Sequence, residues 1–134
     1  MVFEPCEGDL MSMIAKLSGL ILSFGIAVSA SAESLPTVVG ECTKTTIKKV
    51  TNRLMDTPGT GSAVIFDNGG FQVSYDQVPQ VDRSRAGDEV IMCLVSKPEN
   101  CPPGDERGKI YSTVNLSTMQ FWVLGDSSHM CGGA

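Results

Sequence analysis

The sequence is poor in the side chains that catalytic and metal-binding sites commonly use. Histidine occurs once, at His129, so a mechanism that needs a base with a pKa near neutrality has a single candidate. The segment Asp126-Ser127-Ser128-His129 holds the residue types of a hydrolase triad, but residues this close in sequence seldom reach triad geometry, which favours a solvated turn. No two cysteines have the C-x2-C spacing typical of structural zinc sites. The sequence therefore predicts no catalytic residue, no metal site and no cofactor.

Positive charge is also scarce. Lysine and arginine total 10 against 15 aspartates and glutamates, which gives a formal net charge of −5. A mildly acidic domain repels polyanions, because it cannot replace the counterions that surround them. Nucleic acid and anionic lipid surfaces are therefore not predicted as partners.

The chain lacks an apolar run long enough to span a bilayer, which takes roughly 20 residues. Its longest apolar stretch, residues 17–28, follows Lys16 and ends in the small residues Ser29-Ala30-Ser31-Ala32. A basic start, a short apolar core and a small-residue end are typical of a cleaved secretory signal peptide. We expect cleavage after Ala32, no stable membrane insertion afterwards, and a periplasmic or secreted product.

The signal peptide sets the predicted organisation of the chain. The first ten residues carry the acidic Glu4, Glu7 and Asp9, whereas the start of a signal peptide is typically positively charged. These residues are interpreted as an extension that results from an over-extended start codon. The predicted segments are an N-terminal extension at 1–10, a signal peptide at 11–32, a leader at 33–40 and a single β-domain at 41–134.

Four cysteines remain in the predicted mature chain. An even number of cysteines in a small exported protein indicates disulfides, here two of them. The favoured pairing joins Cys93 to Cys101 across a short proline-containing loop and Cys42 to Cys131, which would fix the C-terminus to the first strand. The other pairings remain open from sequence.

The clearest local structure is a β-hairpin. Two β-rich runs, 62–66 and 71–77, flank Asn68-Gly69, whose residues tolerate the positive φ values of a type I′ turn. Alternation along the second run predicts that its odd-numbered residues face the core and its even-numbered ones, Gln72 among them, face solvent.

Further short strands are separated by segments rich in glycine, proline and polar residues. Residues 89–96 are apolar at nearly every position and are predicted to form a central strand. The other predicted strands are 42–54, 109–114 and 119–124, the last two forming a second hairpin. The predicted fold is all-β: a small antiparallel barrel or sandwich, OB-like or SH3-like, of five to six strands stapled by two disulfides.

A binding face is predicted from arginines and aromatic rings on loops and strands, which small barrels use to hold partners. Arg107 is the strongest candidate, because a rigid Pro102-Pro103-Gly104 loop would present it at low entropic cost. The alternative is that the rings pack in the core while the arginines pair with nearby aspartates. The candidate binding residues are Arg83, Arg85, Asp105, Arg107, Tyr111 and Trp122.

Segments 101–111 and 122–126, with His129 and the closing Cys131-Gly132-Gly133-Ala134, resemble a group of uncharacterised small exported bacterial proteins. The resemblance implies export and carries no activity. Periplasmic lysozyme inhibitors are similar in overall plan, with a signal peptide, a compact barrel and disulfides, but the similarity concerns architecture alone.

The expected function is that of an exported, non-enzymatic β-domain that binds a macromolecular partner, protein or glycan, in the cell envelope or a host. An inhibitor of a lysozyme-type hydrolase is one form of this function. The alternatives are a small-ligand or glycan-binding module of the envelope and, second, an enzyme of unknown type.

Overall fold

A computed structural model of the protein describes residues 33–133. The predicted N-terminal extension and signal peptide lie outside these residues. Within them, six strands and one short helix follow in the order β1 (Cys42–Asn52), β2 (Ser62–Phe66), β3 (Phe71–Val73), α1 (Pro79–Asp82), β4 (Glu89–Ser96), β5 (Ile110–Asn115) and β6 (Gln120–Gly125). No helix in this part of the chain has the length and apolarity needed to cross a membrane.

The strands form a closed antiparallel barrel with the order β1-β2-β3-β6-β5-β4. Two three-stranded meanders, β1 to β3 and β4 to β6, are joined along one side by pairing of β1 with β4 and along the other by pairing of β3 with β6. The predicted all-β fold of five to six strands with two disulfides is confirmed, in its barrel form rather than as a sandwich.

The first hairpin is confirmed, but its turn type is not. Gly69 has a positive φ of 86°, whereas Asn68 is not among the residues with positive φ, as a type I′ turn would require. The Gly69 amide donates to the Phe66 carbonyl (3.1 Å) and the Phe66 amide to the Gly70 carbonyl (2.9 Å). The loop is therefore the three-residue kind that ends in a left-handed glycine.

The predicted facing of β3 is wrong at Gln72, whose side chain is fully buried. Its amide nitrogen donates to the carbonyls of Tyr111 (2.9 Å) and Leu124 (3.2 Å), and its Oε1 accepts from the Thr113 hydroxyl (2.7 Å) and the Trp122 indole (2.8 Å). All four hydrogen-bonding positions of the amide are occupied, so its burial carries no unpaired polar group.

The other residues of this run depart from simple alternation as well. Val73 is buried, as predicted, but Phe71 is half-buried and Tyr75 is 54% exposed. The strand ends at Val73, so Tyr75 lies beyond the regular pleat that the prediction extended to it.

Strand β4 is present as predicted, but only one of its faces is buried. Val90, Met92 and Leu94 point into the barrel and are at most 1% exposed, whereas Ile91 and Val95 on the outer side are 37% and 45% exposed. A strand that is apolar on both faces therefore leaves apolar side chains on the outside of this barrel.

The predicted cysteine pairing is wrong. The disulfides join Cys42 to Cys93 (Cα–Cα 4.0 Å) and Cys101 to Cys131 (Cα–Cα 5.3 Å). Antiparallel pairing of β1 with β4 places Cys42 directly opposite Cys93, closer than the roughly 7 Å beyond which two cysteines cannot be bridged. The C-terminal tail is fixed, as expected, but to the proline-containing loop at Cys101 rather than to β1.

The predicted leader is part of the packed structure. Leu35 packs against the barrel core, Pro36 is buried, and the Gly40 amide donates to the Leu94 carbonyl (2.9 Å). The segment 33–40 therefore lies along the barrel and does not merely lead into it.

Candidate functional site

The structure does not bring the predicted binding residues together. Tyr111 and Trp122 are each 4% exposed and belong to the core cluster. Arg107 and Asp105 lie near the start of β5, whereas Arg83 and Arg85 are exposed beside its far end. A six-residue strand spans roughly 17 Å at 3.3 Å per residue, so the arginines form two separate groups.

Asp105 and Arg107 hold the C-terminal tail. Arg107 donates from Nε and Nη2 to the two carboxylate oxygens of Asp105, both at 2.9 Å, and from Nη2 to the Gly133 carbonyl at 3.2 Å. The Gly132 amide donates to Asp105 at 2.9 Å. The Arg107 guanidinium, followed by the Gly132 amide, holds the pKa of Asp105 well below its usual range. We call these four residues the tail clasp.

The residues of the triad-like segment are engaged elsewhere. Oδ1 of Asp126 accepts from the amides of Gly108 (2.8 Å) and Lys109 (3.1 Å), while the His129 ring reaches the hydroxyl of Tyr75 (3.3 Å). Asp126 thus anchors the start of β5 and does not orient His129. A charge-relay arrangement needs a base held between an acid and a nucleophile, which is not the geometry of this segment.

Asn115 fixes the loop that carries Arg83 and Arg85. Its amide nitrogen donates to the Ser84 hydroxyl (2.8 Å) and to the carboxylate of Asp88 (2.9 Å), lowering the pKa of Asp88. The triplet Asn115-Leu116-Ser117 matches the N-glycosylation pattern, but Asn115 is fully buried and both hydrogens of its amide are used in hydrogen bonds, so the match marks a turn rather than an acceptor.

The outer side of the second meander carries a contiguous set of apolar side chains. Ile91, Val114 and Phe121 are register partners across β4, β5 and β6, and Val123 lies opposite Ser112 two positions further along. Phe121 and Val123 are 55% and 46% exposed. We define the outer face by the side chains of Ile91, Val95, Val114, Met119, Phe121 and Val123. The sequence signal for the outer face is the set of apolar residues at strand positions that point outward, which are interpreted from sequence as core positions.

Strand β6 also presents a partly free edge. It pairs with β5 along its length, but among residues 33–133 its pairing with β3 consists of Val73 opposite Gly125. The Asp126 amide donates to the Lys109 carbonyl, so by alternation the main-chain groups of Phe121 and Val123 point away from β5. Within the described chain these groups have no main-chain partner, and this stretch could pair with an added strand where α1, which also packs against β6, leaves it accessible.

A groove of about 450 Å³ lies outside the barrel, between the segment 33–37 and the residues Glu41, Cys42 and Thr43. Its lining residues include two glutamates, Glu33 and Glu41, as well as the apolar Leu35 and Pro36. In the part of the chain that the structure describes, no group of three or more His, Cys, Asp or Glu side chains is placed to hold a metal ion.

No protein-family model matches the chain, and comparisons with curated proteins and with solved structures find no match.

Proposed function

We propose that this chain is an exported, non-enzymatic domain that binds another protein through the outer face and the adjoining edge of β6. The observation that carries the proposal is the exposure of Phe121 and Val123, on a strand whose outward main-chain groups are unpaired among the described residues. Exposed apolar patches next to a free strand edge mark sites of protein association in soluble proteins.

The chemistry of this surface favours a protein over a small ligand. Five of the outer-face residues lie on strands, on the outside of the barrel, and Met119 lies in the turn before β6; they offer apolar contact but no enclosure. Apolar small molecules are bound in concave sites that bury most of their surface, whereas a protein segment can pair with main-chain groups and cover a flat apolar face.

Export and rigidity complete the proposal. Two disulfides are compatible with an oxidising environment outside the cytosol. A cross-linked barrel presents its surface with little loss of conformational entropy on binding, which suits an inhibitor. A lysozyme-type hydrolase of the periplasm or of a host is the specific partner proposed.

The test uses the full chain, produced by export so that the disulfides form. Wild type and Phe121→Lys are immobilised and exposed to envelope extract and to purified lysozymes, with binding and inhibition measured. Phe121→Lys should weaken binding by about tenfold or more, because it places a charge in the apolar contact. The matched control is Val38→Lys, a similarly exposed position at 55% that lies outside the outer face.

Two results would contradict the proposal. One is the absence of any specific partner or inhibited hydrolase for the wild-type protein. The other is a partner whose binding Phe121→Lys and Val38→Lys weaken equally, since the outer face would then have no special role.

A further inference from the structure

Three segments that are distant in sequence meet around the ring of Tyr75. The Cζ atom of Arg53, just after β1, lies 4.3 Å from the ring centroid. Nε2 of His129, in the C-terminal tail, lies 3.3 Å from the Tyr75 hydroxyl, and the two rings meet edge to face with centroids 6.1 Å apart. We call these residues the Arg53 cluster.

The loop that carries Arg53 is fixed against the segment of Tyr75. The Arg53 amide donates to the Gly61 carbonyl (3.2 Å) and its Nε to the Thr60 carbonyl (2.8 Å). Gly61 has a φ of 102°, and a Cβ there would lie 2.1 Å from the Ser74 carbonyl oxygen. A glycine is therefore required, because the loop lies directly on the backbone that leads to Tyr75.

The tail that carries His129 is also fixed. Cys131, two residues further on, is bonded to Cys101, and its amide donates to the Arg107 carbonyl at 2.9 Å. The approach of the imidazole to Tyr75 is thus supported by a covalent bond and a main-chain hydrogen bond. All three members of the cluster are placed by neighbouring backbone rather than by their own side chains alone.

Arg53 gives the cluster a positive charge that no ion pair among the described residues neutralises. Within residues 33–133, neither Arg53 nor His129 forms an ion pair, in contrast to Arg107, which lies 2.9 Å from Asp105. Asp76, next to Tyr75 in sequence, pairs with neither. The guanidinium of Arg53 uses Nε on Thr60, which leaves its terminal amino groups available to an incoming anion.

The same cluster offers an accessible aromatic surface. Tyr75 is 54% exposed although Arg53 lies over its ring. A carboxylate alone would be satisfied by the guanidinium, which binds it through two parallel hydrogen bonds. An exposed ring beside such a cation suits a ligand that joins a carboxylate to an apolar ring face, as a sugar acid does.

We propose that the Arg53 cluster is a binding site for carboxylated saccharides. Arg53 takes the carboxylate, the exposed surface of Tyr75 takes the C–H face of the sugar ring, and the His129 side chain adds a polar contact at the ring's hydroxyl edge. This site uses no residue of the outer face, so saccharide binding can be tested independently of the proposed protein binding.

The test is a titration of the full, disulfide-bonded chain followed by NMR of the arginine Nε–H groups and the backbone amides. The probes are a galacturonic acid trimer, N-acetylmuramic acid and N-acetylneuraminic acid. The comparison probes are an N-acetylglucosamine trimer, which has no charge, and a triglutamate peptide, which has no sugar. At least one sugar acid should shift the Arg53 Nε–H and Tyr75 amide signals.

Two variants assign the binding to the cluster. Arg53→Gln should weaken it by about tenfold, the usual scale for a charge-assisted pair, and Tyr75→Ala by a similar factor. The matched control Arg83→Gln removes an exposed arginine elsewhere and should leave affinity unchanged. Trp122 emission and the urea midpoint report whether each variant is folded.

The proposal is overturned if none of the sugar acids binds, or if Arg53→Gln folds and binds as well as wild type. Equal binding of the uncharged trimer would exclude carboxylate recognition. Equal binding of triglutamate would instead indicate an acidic segment of a protein as the ligand.

Discussion

At the scale of the residue, Gln72 shows how a polar side chain can organise an apolar interior. It joins β3 to β5 and β6 through four hydrogen bonds, two of them to main-chain carbonyls. Buried polar networks of this kind restrict the core to one arrangement, because any displaced packing leaves several groups unpaired.

Replacing Gln72 by leucine should destabilise the fold by about 3 kcal/mol. The substitution preserves volume approximately but leaves the Trp122 indole and the Thr113 hydroxyl without their acceptor. The free energy of unfolding in urea, followed by Trp122 emission, measures the effect. Gln77→Leu, at an exposed position, is the control and should change stability by less than about 0.5 kcal/mol. Equal stability of the two variants would show that the network contributes little.

Sequence reasoning failed at Gln72 for a physical reason. Alternation along a strand predicts which residues share a face. The face that is then assigned to the core is the more apolar one, and this rule fails here because the interior of the barrel contains a glutamine. The partners of Gln72 lie 39 to 52 residues away, on strands whose pairing is not encoded locally.

At the scale of the element, strand pairings across a short turn can be predicted from sequence, whereas pairings between strands that are distant in sequence cannot. The two hairpins were found from sequence because a turn fixes the register of the strands on either side of it. The pairing of β1 with β4 follows from no turn, so the Cys42–Cys93 bridge and the exposed outer side of β4 were missed. The same holds for the Arg53 cluster, whose members come from three separate segments.

The tail clasp is an element whose stability should depend on pH. The pKa of Asp105 is lowered in the folded state, so ionised Asp105 favours the clasped tail above the ordinary carboxyl pKa of about 4. The contribution is lost as pH falls from that value through the lowered one. We expect faster amide exchange at Gly132 and Gly133 relative to the barrel strands as the pH is reduced below about 4.

Asp105→Asn tests this assignment. The variant keeps a side chain of the same shape but cannot form the charged pair with Arg107, so its tail amides should exchange faster at neutral pH and show no acid transition. Asp67→Asn is the control at an exposed carboxylate outside the clasp. Identical tail exchange in Asp105→Asn and wild type at neutral pH would refute the role of the ion pair.

At the scale of the whole molecule, the two disulfides stabilise different parts of the fold. Cys42–Cys93 joins the two meanders, and Cys101–Cys131 fixes the tail to a loop. Their sequence separations of 51 and 30 correspond, in the loop-entropy model, to roughly 4 kcal/mol each.

Replacing either cysteine pair by serine should lower the free energy of unfolding by about 2 to 4 kcal/mol. Removing the tail bridge should also abolish the contact of His129 with Tyr75, whereas removing the strand bridge should leave it intact. Peptide mapping of the unreduced protein gives the pairing directly, and recovery of a Cys93–Cys101 peptide would refute the arrangement described here.

The two strand pairings that join the meanders, which we call the β1–β4 and β3–β6 joints, differ in the number of residue pairs they contain. This difference should affect where the barrel opens. The β1–β4 joint has five register pairs and a covalent bridge, while the described β3–β6 joint has one pair. Transient opening of the barrel should start at the weaker β3–β6 joint. It should allow a collisional quencher such as acrylamide to reach Trp122. A protein that adds a strand to β6 would seal this gap, so shielding of the indole from the quencher would report capture of the partner.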